Sequence, residues 1–310
     1  MNTTTHPESS TLQSPLAAEQ VAAFARDGYV VAPIFSAADL APVRDELAAA
    51  LAERAQILHA KGALKDVHTE APFATRFGLL MAQTPEIQHG FDIQDIRGPR
   101  MFEFLHTPAL LDALQSLIGA ELSCNPIHHV RAKPPHAQTA EASKGHFSVP
   151  WHQDSGVNVA AADNSEIVTC WTALVDVTDD MGPLQVMPGA HRLGHLPHGN
   201  DAGYGTSIKA AMMPAIAPVK LTMPAGSVVF MHRHCPHHST PNRSAQCRWS
   251  LDLRYHRTGD NSGRPWQPEF IVRSAAHPAS VMRSHAVWDR QWRECLAQPQ
   301  GRRIVHRLES

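Results

Sequence analysis

The sequence predicts a mostly β protein with flanking helices, built on a double-stranded β-helix core (jelly roll, cupin-like). Two observations lead to this prediction. In the first part of the chain, apolar residues recur at helical spacing between Ser, Thr, Pro and Gly boundary residues. From Glu121 onward, β-branched and aromatic residues instead form short runs separated by Gly, Pro, Asn and Asp, which is typical of a jelly roll. Helices are therefore expected first and the barrel second.

A single domain is expected over residues 14–310, after a polar segment, residues 1–13, that is predicted to be disordered. The helical part would span residues 14–120, the jelly-roll core about residues 121–256, and a C-terminal tail residues 257–310. This length is ordinary for one barrel with a helical jacket.

The first predicted helix has boundary signals at both ends. Ser14 and Pro15 suit the N-cap and N1 positions, and Gly28 suits the position after the last turn. Apolar residues lie between them at helical spacing. A strand is predicted next, over residues 29–35.

A longer helix is predicted to begin after Ser36 and to extend to about His59. Ser36 and Asp39 resemble a capping box, which is a helix start signal. One helical stripe of apolar residues follows, formed by Leu40, Val43, Leu47 and Leu51. We expect this helix to pack on the outside of the barrel, and residues 60–90 to be irregular.

Two more helices are predicted. Thr107 and Pro108 open the first, and Gly119 ends it. In the C-terminal tail, Trp288 and Trp292 are four residues apart, so they would share one helix face. That face is expected to pack on the barrel or on a partner subunit.

The barrel strands are predicted from short β-branched and aromatic runs. They lie at residues 121–132, 148–154, 167–176, 184–188, 218–223, 226–232 and 247–256. Two long connections, residues 136–147 and 194–215, are suited either to lids over a site or to solvated loops.

The last of these strands alternates strictly between polar and apolar residues. Its polar positions are Arg248, Ser250, Asp252 and Arg254, and its apolar positions are Trp249, Leu251, Leu253 and Tyr255. The polar face would line the barrel interior if this strand carries part of a site. An edge strand that faces water would show the same alternation.

The composition excludes several classes of partner. The net charge of −2 shows no electrostatic footprint for nucleic acid or an anionic membrane, so a small molecule is expected. Five cysteines without a C-x-x-C pair favour a reducing compartment. No signal-peptide pattern and no apolar run of about 18 residues is present, so a cytoplasmic protein is predicted. Its oligomeric state is open, with a homo-oligomer as one alternative.

The central motif is Trp151-His152-Gln153-Asp154. On an extended strand, His152 and Asp154 would project from the same face and offer an imidazole and a carboxylate. About one His-x-Asp triplet is expected by chance in this composition, so its context decides its meaning. A second stretch supplies that context: His237 is followed by Ser239 at +2 and by Arg248 at +11. Two histidines and one carboxylate leave three positions of an octahedral Fe(II) open for a bidentate co-substrate and dioxygen.

The run from Gly226 to Tyr255 resembles the C-terminal signature of the phytanoyl-CoA dioxygenase family of Fe(II)- and 2-oxoglutarate-dependent oxygenases. In that signature, a strand ends in His-x-Ser-x-x-Asn and an Arg follows. Four other stretches are also similar to the family: AFARDGYVV near residue 24, RAKPP at residues 131–135, WHQD at 151–154, and the run from Cys170 to His191. The resemblance covers about residues 16–256.

The resemblance implies a role for each matched residue. His152, Asp154 and His237 would be the iron ligands. Arg248 with Ser239 would bind the distal carboxylate of 2-oxoglutarate, next to Trp171. His129 is added as a further predicted cofactor contact. His238 stands where the family has a small residue, so His238 is an alternative ligand, although only His237 has Ser at +2 and Arg at +11.

The expected reaction is oxidation of an unactivated C–H bond of a small organic substrate, mainly by hydroxylation, with release of succinate and CO2. Asp154 keeps the carboxylate position filled, which favours hydroxylation over halogenation. Lys133, Arg131 and Gln153 are the candidate substrate contacts; for the two cations a solvated loop position is the alternative. The rival functions are a cupin-like Zn or Mn metalloenzyme, because residues 232–238 are rich in histidine, and a non-catalytic jelly-roll binding protein.

Overall fold

The computed structural model describes residues 16–139, 147, 149–200 and 206–308. Its helices are α1 (Ala18–Asp27), α2 (Ala37–Ala60), α3 (Phe73–Met81), α4 (Pro99–Leu105), α5 (Pro108–Ile118) and α6 (His285–Leu296). Its strands are β1 (Tyr29–Pro33), β2 (Leu122–Cys124), β3 (His129–Lys133), β4 (Ile167–Ala173), β5 (Leu184–Val186), β6 (His198–Gly199), β7 (Ser207–Ile208), β8 (Val219–Leu221), β9 (Ser227–His232), β10 (His237–Ser239), β11 (Arg248–Arg257) and β12 (Phe270–Arg273).

Two antiparallel sheets form the core of the fold. The larger sheet has the order β1-β9-β4-β11-β2-β12, with β3 also paired to β11, and the smaller one has the order β10-β5-β8. Side chains from β4 and β9 meet side chains from β5 and β8 in one apolar cluster, which fills the space between the sheets. The predicted jelly-roll core is therefore confirmed, and the site described below lies on this inner side.

The helices cover the outer face of the larger sheet. Strand β11 shows why: its apolar residues Trp249, Leu251, Leu253 and Tyr255 are fully buried against the helical layer. Its polar residues consequently point to the inner side, because alternate residues of a strand face opposite ways. The sequence left an exposed edge strand as the alternative, and the pairing of β11 with β2, β3 and β4 excludes it.

The predicted ends of the N-terminal helices are largely confirmed. Gly28 ends α1 with a positive φ of 79°, which suits a residue without a side chain. Ser36 and Asp39 form the capping box of α2, and the predicted apolar stripe of that helix is buried. Helix α1 begins at Ala18, and the predicted cap at Ser14 and Pro15 lies outside the described residues.

The prediction of an irregular segment over residues 60–90 was wrong. It contains α3 and a short 3-10 helix, Pro85–Gln88, and α4 was also missed. Helices of seven to nine residues are marginal by themselves and form here because they bury apolar side chains. Helix α6 agrees with its prediction, since Trp288 and Trp292 are buried in the main core. No helix in the described ranges is long and apolar enough to cross a membrane.

The strand predictions need three corrections. Residues 149–154 form no strand; His152 makes an isolated bridge to His237, and Asp154 begins a 3-10 turn. The run 121–132 is two strands, β2 and β3, because the chain leaves the sheet between them. Strands β6, β7 and β12 were not predicted, since two to four residues carry too little periodicity to detect, and β10 was implied only by the family signature.

Candidate metal centre

The three predicted metal ligands converge on one point. The ligand atoms of His152, Asp154 and His237 all lie within 4.8 Å of one another, and among the described residues no other group of three or more metal-binding side chains does so. The backbones of His152 and His237 exchange two hydrogen bonds, of 3.0 and 2.9 Å, and their rings are 4.2 Å apart. Gln153 between the ligands is extended, so Asp154 turns to the same side as His152.

Both imidazoles are oriented by backbone carbonyls. Nδ1 of His152 donates to the oxygen of Pro150 at 2.9 Å, and Nδ1 of His237 donates to the oxygen of Cys235 at 3.0 Å. Each Nε2 is thereby left with its lone pair for a metal, which is the usual arrangement of histidine ligands. Burial and the neighbouring His237 lower the pKa of His152 to about 3, so His152 is neutral at physiological pH.

Asp154 is held by two side chains that sequence reasoning had not assigned to the site. Arg254 donates from Nη2 to Oδ1, and the Thr169 hydroxyl donates to Oδ2. Burial alone would raise the pKa of Asp154, but the charge of Arg254 and the two nearby imidazoles hold this pKa well below its usual value. The carboxylate is therefore ionised and held in place in the metal-free protein.

This donor set fits a divalent transition metal. Two imidazole nitrogens and one carboxylate face a small cavity of about 50 Å³, which Arg131, Trp171, Ser239, Asp252 and Arg254 also line. The set matches the two-histidine, one-carboxylate arrangement that leaves coordination positions open. Fe(II) is consistent with it, and so are other divalent ions.

Two basic side chains, Arg248 and Lys133, lie beside the ligands. Arg248 is 3% exposed, donates to the carbonyl of Gly182 at 2.6 Å, and lies over the Trp171 ring at 5.1 Å. Lys133 donates to the Ser239 hydroxyl at 2.7 Å and to a neighbouring backbone carbonyl. Burial, with the charge of Arg248, lowers the pKa of Lys133 to about 5, so its amine is neutral at physiological pH. Burial also lowers the pKa of Arg248, to about 10, which leaves its guanidinium charged. An anion could bind between these two side chains.

The alternative ligand His238 faces away from the other ligands. Its ring stacks on Trp151 at 4.1 Å, and its Nε2 is 3.1 Å from the side-chain oxygen of Gln185. The reason is strand geometry, because neighbouring residues of β10 point to opposite faces. The converging set contains His237 and not His238.

Two residues that were predicted to contact substrate or cofactor, Gln153 and His129, do not line the metal pocket. Gln153 is fully buried, and its side-chain amide binds the backbone of Gly194, His234 and Leu196. It therefore supports the loop next to the ligands. His129 donates from Nδ1 to Asp92 at 2.8 Å and lines neither cavity.

A larger cavity of about 370 Å³ adjoins the metal pocket. The two share Arg131, Val149 and Arg248 as lining residues, so the cavities are adjacent. Its apolar wall includes Phe77, Phe91, Val130, Ala132 and Phe147, and its polar lining includes Gln88, His89, Asp92 and Asp95. Six of these residues lie between residues 77 and 95, partly in the segment 60–90 that was predicted to be irregular, and no sequence signal pointed to them. Arg254 and Asp252, by contrast, were visible as part of the polar face of β11.

Comparisons with known proteins assign the chain to a family. A family model described as phytanoyl-CoA dioxygenase matches residues 16–250. L-proline trans-4-hydroxylase of Streptomyces griseoviridis is 26% identical over 234 residues, which cover 65% of this chain and 82% of that protein. A probable phytanoyl-CoA dioxygenase of Caenorhabditis elegans is 29% identical over 175 residues, covering 53% of each chain.

Solved structures are similar in fold. The apo form of the non-heme monooxygenase ThoJ has a TM-score of 0.57 and 21% identity, with 91% of this chain and 96% of that chain covered. The epimerase SnoN, solved with Fe3+, alpha ketoglutarate and nogalamycin RO, has a TM-score of 0.51 and 20% identity, with 79% and 86% covered. Both likenesses support the jelly-roll assignment.

Proposed function

Because this chain belongs to the phytanoyl-CoA dioxygenase family of 2-oxoglutarate-dependent oxygenases, we propose that it uses Fe(II), 2-oxoglutarate and dioxygen to oxidise a C–H bond of a small organic molecule. The convergence of His152, Asp154 and His237 is the observation that supports this function most directly. Hydroxylation is the proposed outcome, because Asp154 supplies a carboxylate ligand and leaves no vacant position for a halide.

In this proposal, His152, Asp154 and His237 hold Fe(II). When bound, Fe(II) with 2-oxoglutarate and dioxygen supplies the oxidising power that breaks a C–H bond, with succinate and CO2 as co-products. The protein contributes orientation. The carbonyls of Pro150 and Cys235 fix the two rings, so little rearrangement is needed on metal binding.

Arg248 is proposed to bind the distal carboxylate of 2-oxoglutarate. A guanidinium can donate two parallel hydrogen bonds to a carboxylate, and burial strengthens that pairing. The Nε of Arg248 is buried and has no partner in the described part of the chain, which is costly unless a ligand supplies one. Ser239 would add a hydroxyl, and the indole of Trp171 would form the adjoining wall.

Lys133 is proposed to bind the same anion. Its amine already contacts Ser239 at 2.7 Å, and both Lys133 and Arg248 line the larger cavity. A dianion placed there would restore the ammonium form, because a nearby opposite charge favours the charged state. Lys133 would then add a second cation to the co-substrate site.

The substrate is proposed to occupy the larger cavity of about 370 Å³. This volume is at the lower end of the range for small-molecule pockets, so a compact substrate suits it best. The similar L-proline trans-4-hydroxylase makes L-proline the first candidate to test. A cytoplasmic location and a single-domain organisation also remain proposals.

Neither of the two rival functions accounts for the buried side chains around this site. A Zn or Mn metalloenzyme that does not use a diacid has no role for Arg248, and a binding protein has no need for two oriented imidazoles beside an ionised carboxylate. The decisive test measures succinate formed from 2-oxoglutarate under air with Fe(II), alone and with candidate substrates. Succinate in stoichiometric amount with consumed 2-oxoglutarate is expected.

The matched variants are Asp154→Ala in the metal centre and Asp179→Ala at the surface. Within the described part of the chain, Asp179 forms an exposed ion pair with Lys220, so its loss should leave turnover unchanged. Asp154→Ala should abolish succinate formation. Full turnover in Asp154→Ala would remove that residue from the centre, and absence of any 2-oxoglutarate turnover in the wild-type protein would favour the rivals.

A further inference from the structure

An ion pair stands between the metal pocket and the larger cavity. Arg131 of β3 donates from Nε to Oδ2 of Asp252 on β11 at 3.0 Å. Both side chains line the metal pocket, and Arg131 also lines the larger cavity. A molecule bound in the larger cavity would therefore contact this pair with the end that lies nearest to the metal pocket.

Each partner of this pair has unused hydrogen-bonding capacity. Oδ1 of Asp252 is buried and accepts no hydrogen bond from the residues that the structure describes. Among the residues that the structure describes, Arg131 makes its hydrogen bond through Nε alone, and 43% of its side chain is exposed, so its terminal nitrogens can donate to a ligand. A buried carboxylate oxygen without a partner is costly, and a bound donor would remove that cost.

The other acids that line the two cavities already have partners. Asp154 is held by Arg254 and Thr169, and Asp95 pairs with Arg302 at 3.4 Å. Asp92 accepts from the backbone nitrogens of Ile93 and Val130 and from His129, each at 2.8 Å. Its role is to hold the start of β3. Asp252 is thus the acid with an oxygen left over beside the metal pocket, and its free oxygen sits next to the guanidinium of Arg131.

A free guanidinium edge beside a free carboxylate oxygen is complementary to a zwitterion. The guanidinium can bind a carboxylate through two donors, and the carboxylate oxygen can accept from an ammonium. A simple carboxylic acid would leave Oδ1 of Asp252 unpaired, and a simple amine would leave Arg131 unused. The aromatic wall of the larger cavity, with Phe77, Phe91 and Phe147, suits an apolar side chain attached to that zwitterion.

We propose that Arg131 and Asp252 together recognise the head group of a zwitterionic α-amino acid, with its side chain in the larger cavity. Arg131 binds the α-carboxylate and Asp252 binds the α-ammonium. This rests on the proposed function, because the bound amino acid is the substrate to be oxidised. Neither residue touches the reacting carbon; both set which molecules bind and which carbon faces the metal.

The test is ligand binding under anaerobic conditions to protein loaded with Mn2+ and 2-oxoglutarate, so that no turnover occurs. The probes are the twenty proteinogenic L-amino acids and, for each that binds, its des-amino carboxylic acid and its carboxamide. At least one amino acid should bind, and both analogues should bind about tenfold to a hundredfold more weakly, since each leaves one charged partner unpaired.

Substitutions of Asp252 and of Arg131 then test the contribution of each residue to binding separately. Asp252→Asn should lose about tenfold or more in affinity for the amino acid while affinity for the des-amino acid stays within about twofold. Arg131→Gln should show the opposite pattern, losing the des-amino acid and retaining weak binding of the carboxamide. The surface variants Asp179→Asn and Arg100→Gln, taken from exposed ion pairs, are the matched controls and should bind like the wild-type protein.

Measuring the binding of Mn2+ and 2-oxoglutarate in the same samples distinguishes failure of the amino-acid assignment from failure of the oxygenase assignment. If both bind and no amino acid does, or if des-amino acids bind as well as amino acids, the zwitterion assignment is overturned and the oxygenase assignment stands. If 2-oxoglutarate itself does not bind, the proposed function fails. Should Asp252→Asn not fold, the comparison of amino acids with their analogues on the wild-type protein still decides the outcome.

Discussion

Arg254 should be the most costly residue of the metal centre to remove from the metal-free protein. Its side chain is 5% exposed and that of Asp154 is 2% exposed, and the two are in direct contact. In Arg254→Leu, the carboxylate would stay buried with only Thr169 as a side-chain donor. Breaking a buried ion pair from one side typically costs about 3–5 kcal/mol. For a chain of this length, roughly 2 °C per kcal/mol gives a decrease in Tm of about 6–10 °C.

Thermal unfolding followed by circular dichroism in the presence of a chelator measures this loss. Adding Mn2+ should then raise the Tm of Arg254→Leu by more than it raises that of the wild-type protein, because the ion replaces the missing positive charge beside Asp154. The double variant Asp154→Asn/Arg254→Leu should be less destabilised than the sum of the two single variants, as expected for groups in contact.

The exposed pair Arg100–Glu103 provides the matched control. Its side chains are 56% and 59% exposed, so Arg100→Leu should change the free energy of unfolding by less than about 1 kcal/mol. An Arg254→Leu protein as stable without metal as the wild-type protein would refute the reasoning. So would equal stabilisation of both proteins by Mn2+.

Three further predictions follow from named contacts. Burial and the charge of Arg248 lower the pKa of Lys133 to about 5, so binding of dianionic 2-oxoglutarate at pH 7 should take up about one proton. Calorimetry in buffers of different ionisation enthalpy measures this uptake, which Lys133→Met should abolish; buffer-independent heats would contradict it. Nε2 of His198 accepts the Gln153 backbone N–H at 3.1 Å, and burial lowers the pKa of His198 to about 4. Because this value is below the unfolded one of about 6.5, the stability contributed by the neutral ring is complete above pH 6.5 and is lost as pH falls towards 4. The midpoint of urea unfolding should fall over that range, and less steeply in His198→Asn; parallel slopes would argue against this source. Finally, Ser36→Ala should lower the free energy of unfolding by about 1 kcal/mol, since the capping bond to the Asp39 backbone is lost; an unchanged urea midpoint would show that this cap contributes nothing.

Local patterns in the sequence were sufficient for a large part of the fold. Gly28 ends a helix because the left-handed conformation suits a residue without Cβ, and Ser36 begins one because its hydroxyl caps a free N–H. The alternation along Arg248–Tyr255 shows which residues share a face. These properties depend on neighbouring residues in the chain. The preference for His237 over His238 came instead from the family resemblance, since only His237 has Ser at +2 and Arg at +11.

The tertiary structure decided what depends on segments that are distant in the chain. Arg254 meets Asp154, and Lys133 meets Ser239, only because β3, β10 and β11 surround one interior. Sequence alone gave His129 a cofactor role, whereas the structure binds it to Asp92, and Gln153 is directed to backbone groups instead of a ligand. A side chain's hydrogen-bond partner depends on which atoms the folded chain brings within about 3 Å of it. Periodic patterns in the sequence do not determine distances between segments that are far apart in the chain.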